Sequence, residues 1–264
     1  MKEKKHRIDR RRFLCKSASL LCSSLFGLNS FSKVLASEKH SYNSSVGPRI
    51  ALIIDDIGYS FSRTKQFLSL GIPITFSILP RLAKSHDLSL EIHGKGHEIM
   101  LHQPMEPHNA DYNPGPGALY VGYEPKRIIR IVEENIAYVP FATGVNNHMG
   151  SRLTENRKEI NDALSVIKNR GLYFIDSLTS SRSLAYHTAK SLHISTACRN
   201  IFIDNIPDES AVLSQLCKLE KHARIYGSAI GIGHPFPETA NGVRRFLKGF
   251  IKPDVSMVHM SKIL

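Results

Sequence analysis

Arg49-Ile50-Ala51-Leu52-Ile53-Ile54-Asp55-Asp56-Ile57-Gly58 is the stretch on which the fold turns. Five apolar residues run unbroken from Ile50 to Ile54, two carboxylates follow, and then a glycine. An apolar run without alternation marks a strand buried on both faces, as in a parallel sheet covered by helices. Acids at the carboxyl edge of such a strand stand where α/β folds keep their chemistry. Neighbouring strand side chains diverge, so one carboxylate is expected to hold a metal while the other takes a proton. The plainer reading of the pair is an Asx turn and an N-cap for a helix that begins near Ser60.

Outward from this strand the chain alternates. Strands are expected at 50–54, 72–79, 98–101, 143–147, 172–175, 201–203, 228–232 and 255–259. Helices are expected at 60–70, 83–93, 125–138, 157–170, 183–192, 208–224 and 239–251, several closed by Gly or opened by Pro. Such alternation predicts a parallel α/β fold. A single-domain distorted (β/α) barrel of about seven parallel strands fits better than an open sheet, because chemically capable residues follow almost every strand: Asp55, Asp56, His102, His148, Asp176, Asp204 and His234. In a barrel all those ends converge on one face. No Gly-rich phosphate loop follows the first strand, so neither a nucleotide nor a residue set for an organic cofactor is expected.

The net charge of +12 is concentrated at the N-terminus. Residues 1–36 hold nine Lys/Arg against two acids, which leaves 26 against 21 for the remaining chain. That mild excess, without a basic–aromatic motif, argues against nucleic acid. Arg10-Arg11-Arg12-Phe13-Leu14 ahead of a Ser-rich, modestly apolar stretch resembles a twin-arginine export signal, with cleavage expected near Ala36. The domains read as an export signal at 1–36, a polar linker at 37–48 and a barrel at 49–264. The expected location is the periplasm or cell envelope, with membrane contact only during export. Cys198 and Cys217 remain after cleavage, and their pairing is left open by the sequence.

Two further segments carry candidate ligands. In Gly96-His97-Glu98-Ile99-Met100-Leu101-His102-Gln103-Pro104-Met105-Glu106 the two histidines are five apart, which on a helix separates them by about 140° and excludes a zinc-protease helix. Should the chain turn helical after His102, Glu106 would share its face and could share a metal. Asn146-Asn147-His148-Met149-Gly150-Ser151 is either an ordinary loop or the source of a further ligand or substrate clamp. Asp176 could orient a histidine, bind substrate, or simply cap a helix. His234, between Gly233 and Pro235, projects from a strand end and is suited to general acid work.

Taken together these motifs resemble the polysaccharide deacetylase superfamily, in particular its divergent branch, over about Ile50 to Leu247. Asp55-Asp56 resembles the first family motif, Gly96 to His102 the second, Asn146 to Ser151 the third, Phe174 to Ser177 the fourth and Gly233-His234-Pro235 the fifth. The resemblance implies Asp55 as general base, His234 as general acid, and Asp56 and His102 as ligands of a divalent metal, zinc being the first choice. This chain has Glu106 where the main superfamily has a second histidine, and Asn-Asn-His where it has Arg-Pro. The third ligand is therefore His148 or Glu106. His148 is preferred because an imidazole keeps the Asp-His-His donor set. Asp176, Asn147 and Glu106 stay as further metal or substrate candidates. The implied activity is an exported, metal-dependent hydrolase acting on N- or O-acetyl groups of a polysaccharide or cell-envelope glycan. The alternative is a non-catalytic exported module that keeps barrel and metal to bind a glycan or partner.

Overall fold

The structure, a computed structural model, describes residues 47–264. The predicted export signal and all but the last two residues of the linker lie outside the described residues. The elements run β1 (Arg49–Ile57), α1 (Phe61–Leu68), β2 (Thr75–Ile78), α2 (Ser85–Gly94), β3 (Glu98–Met105), α3 (Pro125–Tyr138), β4 (Ala142–Met149), α4 (Arg157–Asn169), β5 (Tyr173–Asp176), α5 (Ala185–Ser191), β6 (Thr196–Cys198), β7 (Ile201–Phe202), α6 (Glu209–Tyr226), β8 (Ser228–Gly233), α7 (Pro237–Gly249) and β9 (Ser256–Val258). Every ladder between strands is parallel.

The strand order is β6-β5-β4-β3-β2-β1-β8-β7, with β9 beside the start of β1. The two ends of this order, β6 and β7, are consecutive in the chain and separated only by Arg199 and Asn200. One extended segment therefore joins both edges of the sheet. Its backbone bonds to either side: Arg199 N donates to Asp176 O at 3.0 Å, and Asn200 N to Ile230 O at 2.9 Å. Counting β6 and β7 as one stave gives the seven-stave distorted barrel that the alternation predicts. The sequence reading placed the sixth strand at 201–203 and missed β6, whose residues include polar Thr196 and Cys198 and carry no apolar run.

Burial explains β1. Ile50, Leu52 and Ile54 pack outward against the helices, while Ala51 and Ile53 pack into the lumen with Met100, Tyr173, Ile175, Ile230 and Ile232. All five β1 residues have no exposed surface. The helices show the complementary period. In α6 the buried residues are Val212, Leu213, Leu216, Leu219, Glu220 and Ala223, one stripe at helical spacing. Asp208 caps that helix through Ala211 N, and Gly227 ends it in the left-handed conformation, φ 84°. Cys198 and Cys217 are free thiols, and burial pushes the Cys198 thiol up to about 12. Among the described residues no helix is long and apolar enough to cross a membrane.

Candidate active site

Strand alternation sends every second residue into the barrel. One step beyond the apolar lumen series, β1 reaches Asp55, β3 reaches His102 and β8 leads to His234. On β4 the same parity selects Asn146 and His148.

The two carboxylates of β1 do not diverge. Register against β2 shifts between Ile54 and Ile57, and Asp56 takes a left-handed backbone, φ 57°. This bulge re-aims the Asp56 side chain, so that both acids approach one imidazole. His102 Nε2 lies 3.2 Å from Asp56 Oδ1 and 3.6 Å from Asp55 Oδ2. The expectation that adjacent strand carboxylates point apart is corrected by this irregularity.

His148 Nδ1 stands 3.0 Å from Asp56 Oδ1 and 3.1 Å from His102 Nε2. These three atoms form a nearly equilateral triangle. A tetrahedral metal shell with bonds of about 2.0–2.1 Å spaces its ligand atoms about 3.3 Å apart, close to the edges seen. Asp56 Oδ1 is also buried with no hydrogen bond of acceptable geometry, despite its two nitrogen neighbours. The nitrogens are near it without donating to it.

The reason lies behind His102. Its Nδ1 is 2.7 Å from Asn146 Oδ1, and the same oxygen accepts from the Ser77 hydroxyl at 2.5 Å. Asn146 Nδ2 in turn donates to Asp55 Oδ1 at 2.9 Å. An amide oxygen only accepts, so the His102 proton belongs on Nδ1 and Nε2 turns its lone pair to the cluster. One carboxylate and two imidazoles converging in this way fit a borderline divalent cation such as zinc.

Electrostatics separates the adjacent acids. Burial, the largest influence on Asp55, pushes its carboxyl up against the opposing pull of His102, His234 and the Asn146 amide. Burial acts the same way on Asp56, but in the metal-free cluster the positive charge that the His102 and His148 rings bring when protonated outweighs it and holds that carboxyl well below the usual range. Two carboxylates pushed apart are suited to different roles: Asp56 stays ionised, as a metal ligand must, and Asp55 is the more basic group.

His234 follows β8 and is held from behind by Asp204. Its Nδ1 is 3.0 Å from Asp204 Oδ1, and its backbone N–H donates to Asp204 Oδ2 at 2.6 Å. The Thr239 hydroxyl donates to the same oxygen at 2.8 Å. This clamp engages Nδ1 and leaves Nε2 for other partners. Burial disfavours the imidazolium, yet Asp204, with Asp55 and Asp56 beyond it, pushes the His234 pKa up to about 9.

Three residues named from sequence stand elsewhere. Glu106 was expected to reach the metal if the chain turned helical after His102. Instead β3 continues to Met105, and Glu106 accepts from Val121 N at 2.8 Å and pairs with Arg152 at 3.0 Å, pinning the loop between β3 and α3. Asp176 takes its capping reading: it accepts from Leu178 N, the Ser183 hydroxyl and Tyr186 N at the start of α5. Asn147, on the other face of β4, braces the next loop through Ser177 N and Met149 O. The reading missed Asn146 and Ser77, and noted Asp204 only as a polar residue after a strand. Extending β4 to His148 would have found Asn146, because residues two apart share a face.

Comparison with known proteins identifies the family and the fold. The divergent polysaccharide deacetylase family matches residues 52–264. The uncharacterized protein YibQ of Escherichia coli (strain K12) is 30% identical over 216 residues, which cover 82% of this chain and 67% of that protein. An uncharacterized protein from Agrobacterium tumefaciens C58 has a similar structure, with TM-score 0.79 and 25% identity, over 84% of this chain and 92% of that one. A CE4 family pseudoenzyme from Bacillus anthracis is similar in fold, with TM-score 0.52 and 11% identity, over 82% of this chain and 65% of that one. With its match running from β1 to the last residue, the chain belongs to the divergent polysaccharide deacetylase family.

Proposed function

We propose that the protein is an exported, metal-dependent hydrolase that removes acetyl groups from a polysaccharide or cell-envelope glycan. The observation that carries this reading is the Asp56–His102–His148 triangle with Asp55 beside it and the Asp204-backed His234 at the end of β8. A pure binder needs neither a buried carboxylate of raised basicity nor a clamped imidazolium.

A divalent cation held by Asp56, His102 and His148 would polarise the acetyl carbonyl and lower the pKa of attacking water. Asp55 accepts the proton of that water, and the Asn146 amide on Oδ1 fixes the carboxylate and leaves Oδ2 for the task. His234, protonated at neutral pH, delivers a proton from Nε2 to the departing amine or alkoxide. Burial of Asp55 and His102 keeps bulk water from screening these charges.

Elemental analysis and acetate release on the purified chain test the reading. About one zinc-like ion per chain is expected, lost in His148→Ala and kept in Glu106→Ala, with acetate freed from an N-acetylglucosamine oligomer. Asp55→Asn and His234→Ala should each lower turnover by at least about 10²-fold while keeping the metal. A wild-type chain that binds metal but releases no acetate from N- or O-acetylated glycans points instead to the binding module.

A further inference from the structure

Beside the metal triangle the structure contains a second feature that the proposed chemistry does not use. A cavity of about 140 Å³ lies between the loop after β1 and the loop after β8. Its walls include Asp56, Tyr59 and Arg63 on one side and Pro235 and Phe236 on the other. It therefore opens directly from one metal-ligand candidate and lies beside the loop that bears His234.

Its two aromatic residues are exposed, Tyr59 by 62% and Phe236 by 36%. The backbone beneath each is held in place. The Tyr59 carbonyl accepts from Lys84 Nζ at 3.0 Å, and Phe236 N donates to His234 O at 2.8 Å. Phe236 also packs near the His234 ring, with centroids 5.8 Å apart. Solvent-facing rings at the mouth of a site present apolar faces to a ligand with apolar faces of its own, such as a pyranose ring.

Arg63 sets the charge. It lies in the first turn of α1, which contains no acidic residue, and among the described residues its guanidinium has no carboxylate partner. Among the described residues the only acid lining the cavity is Asp56, whose Oδ1 is turned to the triangle with His102 and His148. Of the other arginines in loops that follow strands, Arg152 pairs with Glu106 and Arg182 with Glu155, while Arg199 is engaged with the Ser177 and Leu178 carbonyls and the Phe202 ring. Arg63 therefore offers an unneutralised planar donor in a cavity that continues from the reaction centre.

We propose that this cavity is a subsite for a sugar unit bearing an anionic group, a carboxylate or a phosphate, next to the acetylated unit. Tyr59 and Phe236 stack on its ring and Arg63 pairs with its anion. The inference rests on the hydrolase reading for its location and deepens it by naming the substrate as an acidic glycan.

Binding, measured by calorimetry on the metal-loaded Asp55→Asn chain, separates the two claims because it needs no turnover. Four probes in two pairs are compared: a tetrasaccharide alternating N-acetylglucosamine with glucuronate against the neutral N-acetylglucosamine tetrasaccharide, and an N-acetylglucosamine disaccharide with a 6-phosphate on one unit against the plain disaccharide. An anionic probe should bind about 3- to 10-fold more tightly than its neutral counterpart, and the preference should weaken with salt. The two pairs reveal whether carboxylate or phosphate is read. Adding Arg63→Ala should erase the preference without lowering the melting temperature, Arg63→Lys should keep part of it, and Tyr59→Ala should weaken neutral and anionic probes alike. Equal binding of all probes, no binding of any, or a preference that survives Arg63→Ala overturns the subsite. Acetate release by wild type without any charge preference also overturns it while leaving the hydrolase standing. A charge preference lost with Arg63, in a chain that never releases acetate, keeps the subsite and removes the hydrolase.

Discussion

At the scale of single residues, Asn146 holds the site together. One amide takes the His102 proton and the Ser77 hydroxyl on its oxygen and gives a hydrogen bond to Asp55 from its nitrogen. Asn146→Ala would strand three buried groups, each at about 1–3 kcal/mol, and release His102 from its tautomer. Metal affinity is expected to fall about 10- to 100-fold, whereas Asn147→Ala should lower stability and spare the metal; competition with a chromogenic chelator reads both. The sequence made the histidines and acids legible, because their chemistry is visible one residue at a time. It hid Asn146 because two adjacent asparagines differ only in which face of β4 they occupy, and that depended on where the strand ends. His234 offers a second test at this scale. Its pKa near 9 stands above the ordinary 6.5, so its contribution to stability is complete below about 6.5 and is lost as pH rises through about 9. In the metal-free chain, NMR titration should place the His234 ring near 9. Asp204→Asn should bring it to the ordinary imidazole range or lower, since burial remains when the carboxylate is gone.

At the scale of elements, the departures from regular strand geometry do the positioning. The left-handed Asp56 forms the bulge near the end of β1, and Gly58 follows it at φ 139°. A Cβ at Gly58 would meet Ser85 Oγ at 2.8 Å and Leu82 Cδ1 at 2.9 Å. Gly58→Ala therefore combines strain with a clash and should cost about 1–3 kcal/mol. Because Asp56 lies two residues away, it should weaken metal binding as well; urea denaturation and metal titration on the same variant check both. β3 shows why element ends were misjudged. It runs on through Gln103 and Pro104, residues that read as a strand's end. Yet β2 stops pairing at Ile78, opposite Leu101. Past that point one edge of β3 has no ladder from β2, and a proline without an N–H is tolerated there. Continuation of β3 carries Glu106 out of the cluster and into its contact with Arg152 and Val121. The sequence contained the correct residues but not the neighbour's length, which decided the geometry.

At the scale of the molecule, alternation of apolar runs with amphipathic helices was enough to imply a parallel barrel with its chemistry on one face. The opposite face was less legible, because it is closed by a terminal segment with no strong pattern. β9 pairs with Arg49–Ala51 of β1, and Met260 then enters the lumen to pack with Ala51, Ile53, Met100, Tyr173, Ile175, Ile230 and Ile232. Its backbone N–H donates to the Thr75 hydroxyl at 2.9 Å, and Thr75 in turn donates to Glu98 at 2.8 Å. A cavity of about 350 Å³ lies at this end, lined by Tyr173, His193 and Leu264 among others, and none of the candidate catalytic or ligand residues borders it. The two ends of the barrel thus differ: the candidate site gathers at the carboxyl ends of the strands, and the terminal segment packs at the amino ends. This division makes a prediction about coupling. Met260 has no exposed surface, so Met260→Ala should cost about 2–5 kcal/mol through lost burial and the void left behind. The layer of Ile53, Ile175 and Ile232 separates that void from Asp55 and His102, so metal affinity should stay within about threefold of wild type, as sites without shared partners behave independently. Denaturation midpoints and metal titration of Met260→Ala, set against Gly58→Ala, make the contrast. Loss of metal affinity in Met260→Ala equal to that in Gly58→Ala would mean that the lumen transmits strain from its plug to its site, and that the two ends fold and bind as one unit.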